Sequence, residues 1–354
     1  MTKKEKIISG VALAFLLTAV IALALILLTR EEKPSLKTKT FFGDYFDTVS
    51  TVYCYSGDSD KAFSENCSAV EKLLSEYHKL SDIYNEYEGI SNLKVLNDNA
   101  GGEPIKIDAW LMDMLVYAKE IHALTDGSVN VMFGAVLSLW HDCREAADKN
   151  PASATLPSPS ALAEAALHCD INSLVLDRKN MTAVITDAKA SIDVGAIAKG
   201  YATERAAELL KSLGAEGYAL DIGSNMRTVG EHPTDGTWTV KIRNPKATAE
   251  NTYADEVKLR EGAVVTSGNY ERYYTVNGKR YHHIINKDTL MPAEFFTSVT
   301  VIHPDSGFAD CISTALFNMS YEDGLSLIAR AEAAGYGKIS AVWIYEDGVI
   351  KKNY

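Results

Sequence analysis

The 354 residues are 47% apolar, 9% aromatic and 23% charged, a balance that excludes disordered, collagen-like and coiled-coil chains and leaves length for one large domain or two modest ones. The 35 Lys and Arg against 47 Asp and Glu give a formal charge of -12, and so acidic a chain repels nucleic acid, whose binding needs clustered cations against phosphates. Cys54, Cys67, Cys143, Cys169 and Cys311 include no CxxC pair, which excludes a tetrahedral zinc site and a full disulfide framework and leaves a single bridge open.

Along the chain, the first signal is the uncharged, almost wholly apolar run from Ile7 to Leu28. At 1.5 Å per residue it is long enough to cross a hydrocarbon core of about 30 Å. The small-x-small triplet nearest its end, Ala22-Leu23-Ala24, lies inside the run, so the pattern predicts an uncleaved anchor over residues 1–30 in preference to a signal peptide. Lys3, Lys4 and Lys6 precede the run and predict a single-pass chain whose remainder lies outside the cytoplasm. Residues 31–40, with Pro34, read as a linker, and 41–354 as the body.

Within the body, Asp47–Tyr55 reads as a strand, Asp60–Leu80 as a helix and Leu111–Leu124 as an amphipathic helix stopped by Thr125-Asp126-Gly127. The Pro-, Ser- and Ala-rich segment 149–161 reads as an exposed loop and the one place for a subdomain boundary. Strands are predicted at 173–176, 183–185 and 218–222, with a helix over 196–213. The last third alternates strand-like runs with one helix beginning near Phe308. Strands and helices mixed without a regular βαβ rhythm predict an α+β fold.

No phosphate loop, GxGxxG fingerprint, HExxH or GxSxG elbow is present. Three stretches carry chemistry instead. In Ser191–Ala207, Asp193 ends an apolar strand, glycines flank a turn and Lys199 opens a helix. That arrangement can hold an anion, although an ordinary strand-turn-helix explains the same residues. In Ser267–Pro292, His282 and His283 lie between aromatic residues, a pair that is either structural or catalytic. In Phe308–Ser320, Asp310 and Thr314 share one helix face beside Ser313. A carboxylate and a hydroxyl at that spacing suit Mg2+, while Asp310 equally suits the first turn of a helix.

Taken in order, DVGAIAKGYATERA, DIGSN, SGNYERYY, RYHHIINKDTLMP and SVTV followed by ADCISTALF closely resemble the FAD:protein FMN transferase family, the ApbE-like flavin transferases. Upstream, YNEYEGISNLKVLNDNAGG and TDGSVNVMFGAVLSLWHD resemble that family's amino-terminal motifs. The resemblance runs from about Asp44 to the carboxyl end and implies a single ApbE-like domain behind the amino-terminal transmembrane helix. It implies Mg2+-dependent transfer of the FMN half of FAD to a threonine hydroxyl of an exported acceptor flavoprotein, with release of AMP. FAD is then a substrate and Mg2+ the cofactor. The implied acceptors are FMN-binding-domain proteins such as subunits of Rnf- or Nqr-type redox complexes, and the implied location is the outer face of the cell membrane.

Carried over by position, the resemblance implies metal ligands at Asp310, Thr314 and the main-chain oxygen of Ala196, with Ser313 where some members have a second aspartate. It implies flavin contacts at Phe46, Ser128, Val129, Asn130, Asp193, Lys199 and Ile285, and an aromatic stacking residue at Tyr84 or Tyr87. Lys199 and His283 are the implied catalytic groups, His283 as base. Departures from the family pattern are Asn130 and Ser313 for aspartates, and Asn286-Lys287-Asp288-Thr289-Leu290 for Asp-Pro-x-Thr-Gly. They keep two competing readings open, FAD hydrolysis to FMN and AMP at the same site, and a surface flavin-binding protein without turnover.

Overall fold

The computed structural model describes residues 36–249 and 251–354. The apolar run at 7–28, and the anchor over 1–30 read from it, lie outside the described residues. Among the described residues no helix is long and apolar enough to cross a membrane.

Eight strands form the central sheet: β1 (Lys37–Tyr45), β2 (Thr48–Cys54), β3 (Tyr218–Ile222), β4 (Asn225–Val229), β5 (Ala263–Gly268), β6 (Ser298–His303), β7 (Ser340–Ile344) and β8 (Ile350–Lys352). Their order in space is their order along the chain, and every neighbouring pair is antiparallel. A doubly wound parallel sheet is thereby excluded, and the mixed helix-and-sheet expectation is met. β1 begins at Lys37, inside the stretch read as linker, because Lys37 to Phe42 pair residue by residue with Cys54 back to Val49.

The chain leaves the sheet to build its helices. α1 (Asp60–Ser81) starts where the Ser59 hydroxyl accepts the Ala62 N–H at 3.2 Å, and buries Cys67, Val70, Leu73, Leu74, Tyr77 and Leu80 as one stripe. α2 (Ala109–Leu124) stops at Thr125, and Asp126 and Gly127 follow at φ 50° and 75°, the left-handed turn that the sequence signals. α3 (Gly134–Lys149) is a helix that the apolar periodicity leaves unassigned. Lys37–Tyr354 form one compact unit, so the 149–161 segment is no boundary; Ser158 caps a short helix, Pro159–Ala166, within it.

Two further helices lie side by side: α4 (Ala198–Ser212) and α5 (Ser306–Phe317). α5 also packs on β5 and β6, and Asp305 caps it by accepting the Phe308 N–H at 2.8 Å. The last third holds two helices rather than the one expected, since Ser320 caps α6 (Tyr321–Ala333) by accepting from Asp323. A run of small apolar residues cannot by itself reveal such an internal restart.

A buried ion pair ties these elements together. Arg227 on β4 donates to both carboxylate oxygens of Glu204 on α4, at 2.8 and 3.0 Å, and the Ser306 N–H at the start of α5 donates to Glu204 Oε2 at 2.7 Å. Removing one partner of such a pair leaves an uncompensated buried charge, whereas removing both need not destabilise. Arg227→Met is therefore expected to cost about 3–5 kcal/mol, and Arg227→Met with Glu204→Gln clearly less than the sum of the singles. Denaturant unfolding of the four proteins as a double-mutant cycle checks this.

Candidate functional site

The site grows from the contact between α4 and α5. Both helices are rich in small buried residues, Ala198, Gly200, Ala202, Thr203 and Ala206 on α4 and Ser306, Gly307, Ala309 and Ser313 on α5. They bring the backbones so close that a Cβ on Gly200 would lie 2.3 Å from the Asp310 Cβ and 2.6 Å from the Ser306 carbonyl oxygen. At this crossing the Gly200 N–H donates to Asp310 Oδ2 at 2.8 Å, and Lys199 Nζ approaches the same oxygen at 3.8 Å. Burial pushes the Asp310 carboxyl up, with the Lys199 charge and the Gly200 N–H pulling the other way.

The turn before α4 is held by its own residues. The Asp193 N–H donates to the Val131 carbonyl at 2.8 Å, and Asp193 Oδ1 accepts the Gly195 N–H at 2.7 Å. The N-cap residue Ile197 makes no side-chain cap; the Asp310 carboxylate of α5 takes the Gly200 N–H of the first turn of α4 instead. Burial also pushes the Asp193 carboxyl up, opposed by the Gly195 N–H and by the charges of His141, Arg272 and Arg144.

These residues line a cleft of about 730 Å³, within the range of small-molecule and cofactor sites. Of the residues singled out in the sequence, Phe46, Tyr84, Ser128, Val129, Asn130, Asp193, Ala196, Lys199, His283, Ile285, Asp310 and Thr314 line it. Tyr87 and Ser313 do not. The Tyr87 hydroxyl donates to Asp82 at 2.7 Å and so pins the loop that presents Tyr84. Ser313 is fully buried: its hydroxyl lies 2.9 Å from the Asp310 carbonyl and 2.8 Å from Ser267 Oγ. It stands one residue short of the i, i+4 row that aligns Asp310 with Thr314. Asn130 spends its side chain on the loop, Nδ2 donating to the Cys169 carbonyl at 2.8 Å and Oδ1 accepting the Met132 N–H at 2.9 Å.

The two histidines divide their roles. His282 is buried between the Ala293 carbonyl at 2.8 Å and the Ile284 N–H at 3.2 Å, a structural ring. His283 presents surface to the cavity while its Nδ1–H donates to the Arg272 carbonyl at 3.1 Å, which leaves the Nε2 lone pair free. Crowding by protein pushes the His283 imidazolium down to about 3, helped by the charges of Arg272, His282 and Lys199. His283 is neutral at neutral pH.

Sequence reasoning missed Arg272, His141 and Arg144 in the lining, and with them His78, Asp47, Asp82 and Glu271. Arg272 donates to the carbonyls of Phe46 and Asp47, both at 3.3 Å. His141 and Arg144 stand three apart in WHDCR, a spacing that puts them on one face once α3 is recognised.

Among the described residues no three His, Cys, Asp or Glu side chains cluster as a metal site. The buried Asp310 carboxylate, the Thr314 hydroxyl and the Ala196 backbone at the head of α4 offer oxygen donors only. One carboxylate with hydroxyl and carbonyl oxygens fits Mg2+, which keeps its other positions for water or substrate phosphate.

The profile of the ApbE family matches residues 46–336. The chain belongs to the ApbE family. It is 29% identical over 338 residues to the FAD:protein FMN transferase of Haemophilus influenzae, covering 94% of this chain and 92% of that protein. It is 30% identical to the enzyme of the same name from Treponema pallidum, covering 85% and 82%. The crystal structure of the ApbE protein from Thermotoga maritima superposes with a TM-score of 0.77 at 27% identity, covering 90% of this chain and 97% of that one.

In this ApbE-family chain, then, the α4–α5 crossing sets the position of Asp310. Gly200→Ala has to push the helices apart, an overpacking that costs about 1–3 kcal/mol or more. A lowered thermal midpoint, with Glu208→Gln as a control on the exposed face of α4, measures that cost.

Proposed function

We propose that this chain is a Mg2+-dependent FAD:protein FMN transferase that acts on an exported acceptor flavoprotein. The observation that carries the reading is the pairing of Asp310 with Lys199 and the Gly200 N–H, beside Thr314, on the wall of a cleft of dinucleotide size. Its membership of a family whose relatives are named for this activity supports it.

In this reading a threonine hydroxyl of the acceptor attacks the phosphorus of the FMN half of FAD. The new bond is a P–O ester to threonine, the pyrophosphate P–O bond breaks, and AMP leaves with the bonding electron pair. The chain's own task is positioning and charge control, which is most of what phosphoryl transfer asks of a protein. The Lys199 ammonium offsets charge on the non-bridging oxygens. His283 takes the threonine proton at Nε2, the nitrogen left free by the Arg272 carbonyl. Asp310, Thr314 and the Ala196 carbonyl would hold Mg2+, which when bound supplies Lewis-acid stabilisation of the phosphates. The apolar run at 7–28 and the lysines before it put the reaction on the outer face of the cell membrane, where a Rnf- or Nqr-type subunit or another FMN-binding-domain protein is the acceptor.

The test is to incubate the full chain with FAD, Mg2+ and an FMN-binding-domain acceptor, following intact mass and AMP. The expected result is an acceptor heavier by FMN minus water with equimolar AMP, abolished by chelator and by Asp310→Ala. AMP and free FMN with an unmodified acceptor would make the chain a pyrophosphatase, and unchanged bound FAD a binder.

The role of His283 has its own signatures. His283→Gln should keep FAD binding and lose transfer. Folding disfavours the His283 imidazolium, so this residue's contribution to stability is complete above the unfolded-state pKa near 6.5 and is lost as pH falls from there toward about 3. Denaturation midpoints measured from pH 7 down to pH 4 should therefore fall more steeply for wild type than for His283→Gln.

A further inference from the structure

α3 presents His141 and Arg144 one turn apart to the cleft. Arg144 Nη2 donates to His141 Nδ1 at 2.9 Å, and the Tyr84 hydroxyl lies 3.2 Å from the same nitrogen. The rings of Tyr84 and His141 stack, with centroids 5.0 Å apart and planes at 29°. Tyr84 is nonetheless 54% exposed, so one ring face is backed while open surface remains to the cleft. Among the described residues no carboxylate stands within ion-pair distance of Arg144, in a chain with a formal charge of -12. A half-buried guanidinium left unpaired amid surplus acid is unused donor capacity, because the group carries five N–H donors and no acceptor.

The FAD reading supplies three candidates for those donors. The pyrophosphate belongs with Lys199 and the oxygen donors around Asp310. Adenine offers ring nitrogens as acceptors, whereas the isoalloxazine pyrimidine edge offers two carbonyl oxygens beside a planar face that suits an aromatic platform. We propose that Arg144, oriented by His141, recognises the carbonyl edge of the flavin ring while Tyr84 supports its face, so that the trio selects flavin over other dinucleotides. This inference rests on the proposed use of FAD.

The experiment titrates the full chain with FAD, riboflavin and AMP separately, in wild type, Arg144→Met and Arg144→Lys, with thermal midpoints to check folding. Arg144→Met is expected to weaken FAD and riboflavin tenfold or more and to leave AMP within twofold. Arg144→Lys, which keeps the charge and loses the fork, should fall between. Unchanged riboflavin affinity in folded Arg144→Met overturns the proposal, as does loss of AMP and FAD together with riboflavin spared, which would assign Arg144 to the adenosine or phosphate arm. A wild type that binds neither FAD nor riboflavin overturns the FAD reading itself, an outcome distinct from wild-type binding that Arg144→Met leaves intact.

Discussion

Everything at the site depends on how closely α4 and α5 approach. Helices with ordinary side chains at their contact run 8–10 Å apart and leave no room for a backbone amide to reach a carboxylate on the neighbouring helix. Glycine at 200 removes that barrier, and the Gly200 N–H meets Asp310 Oδ2 at 2.8 Å. One crossing thus satisfies a buried carboxylate, fixes its direction and carries Lys199 to within 3.8 Å of it. The Glu204 carboxylate, gripped by Arg227 and accepting the Ser306 N–H, clamps the same two helices to the sheet one turn further along α4. The chemistry-bearing groups are in this sense consequences of backbone packing.

Electrostatics gives the cleft its character. The chain has 12 more acids than bases, and both signs meet in one cavity, where Lys199, Arg272, Arg144 and four histidines share the lining with Asp47, Asp82, Asp193, Glu271 and Asp310. Selectivity for an anion therefore rests on where the cations stand rather than on the net charge of the lining, since screening limits their reach to about a Debye length. The neutral state of His283 follows from the same crowding, since nearby cations and burial both oppose its protonation. Binding of a doubly charged pyrophosphate would relieve that opposition, so substrate and base are coupled through charge.

How much of this is legible in the sequence depends on range. β-branched and aromatic runs announce β3 to the residue, and helical spacing announces α1, α2 and α4. The Asp310–Thr314 row also follows from periodicity alone. What does not follow is pairing across the chain. β1 starts at Lys37 because its partner β2 is there to receive it, not because KTKTF is a strong strand former. Arg144 and His141 belong to a site only because α3 faces the cleft, and Tyr84 rather than Tyr87 lines it because Asp82 captures the Tyr87 hydroxyl. The anchor over 1–30 lies outside the described residues, so the fold bears on it neither way.

The departures from the family pattern have a physical counterpart in backbone strain. β1 and β2 are joined by the two residues Phe46 and Asp47 at φ 54° and 51°, a turn that favours glycine. Leu290, at φ 59°, stands where the family pattern has glycine. Each such residue costs on the order of 1–2 kcal/mol, so something else must hold it. At the first turn His78 Nδ1 accepts the Phe46 N–H at 3.3 Å while Arg272 donates to both carbonyls. At the second, Trp140 Nε1 donates to the Leu290 carbonyl at 3.0 Å, and the Leu290 side chain packs against the apolar cluster that contains Trp140 and Ile285. Arg272 also holds His283, and Trp140 shares α3 with Arg144. The contacts that keep these strained turns in place are therefore the walls of the cleft, and local propensity has been exchanged for tertiary contacts where the cavity needs its shape fixed.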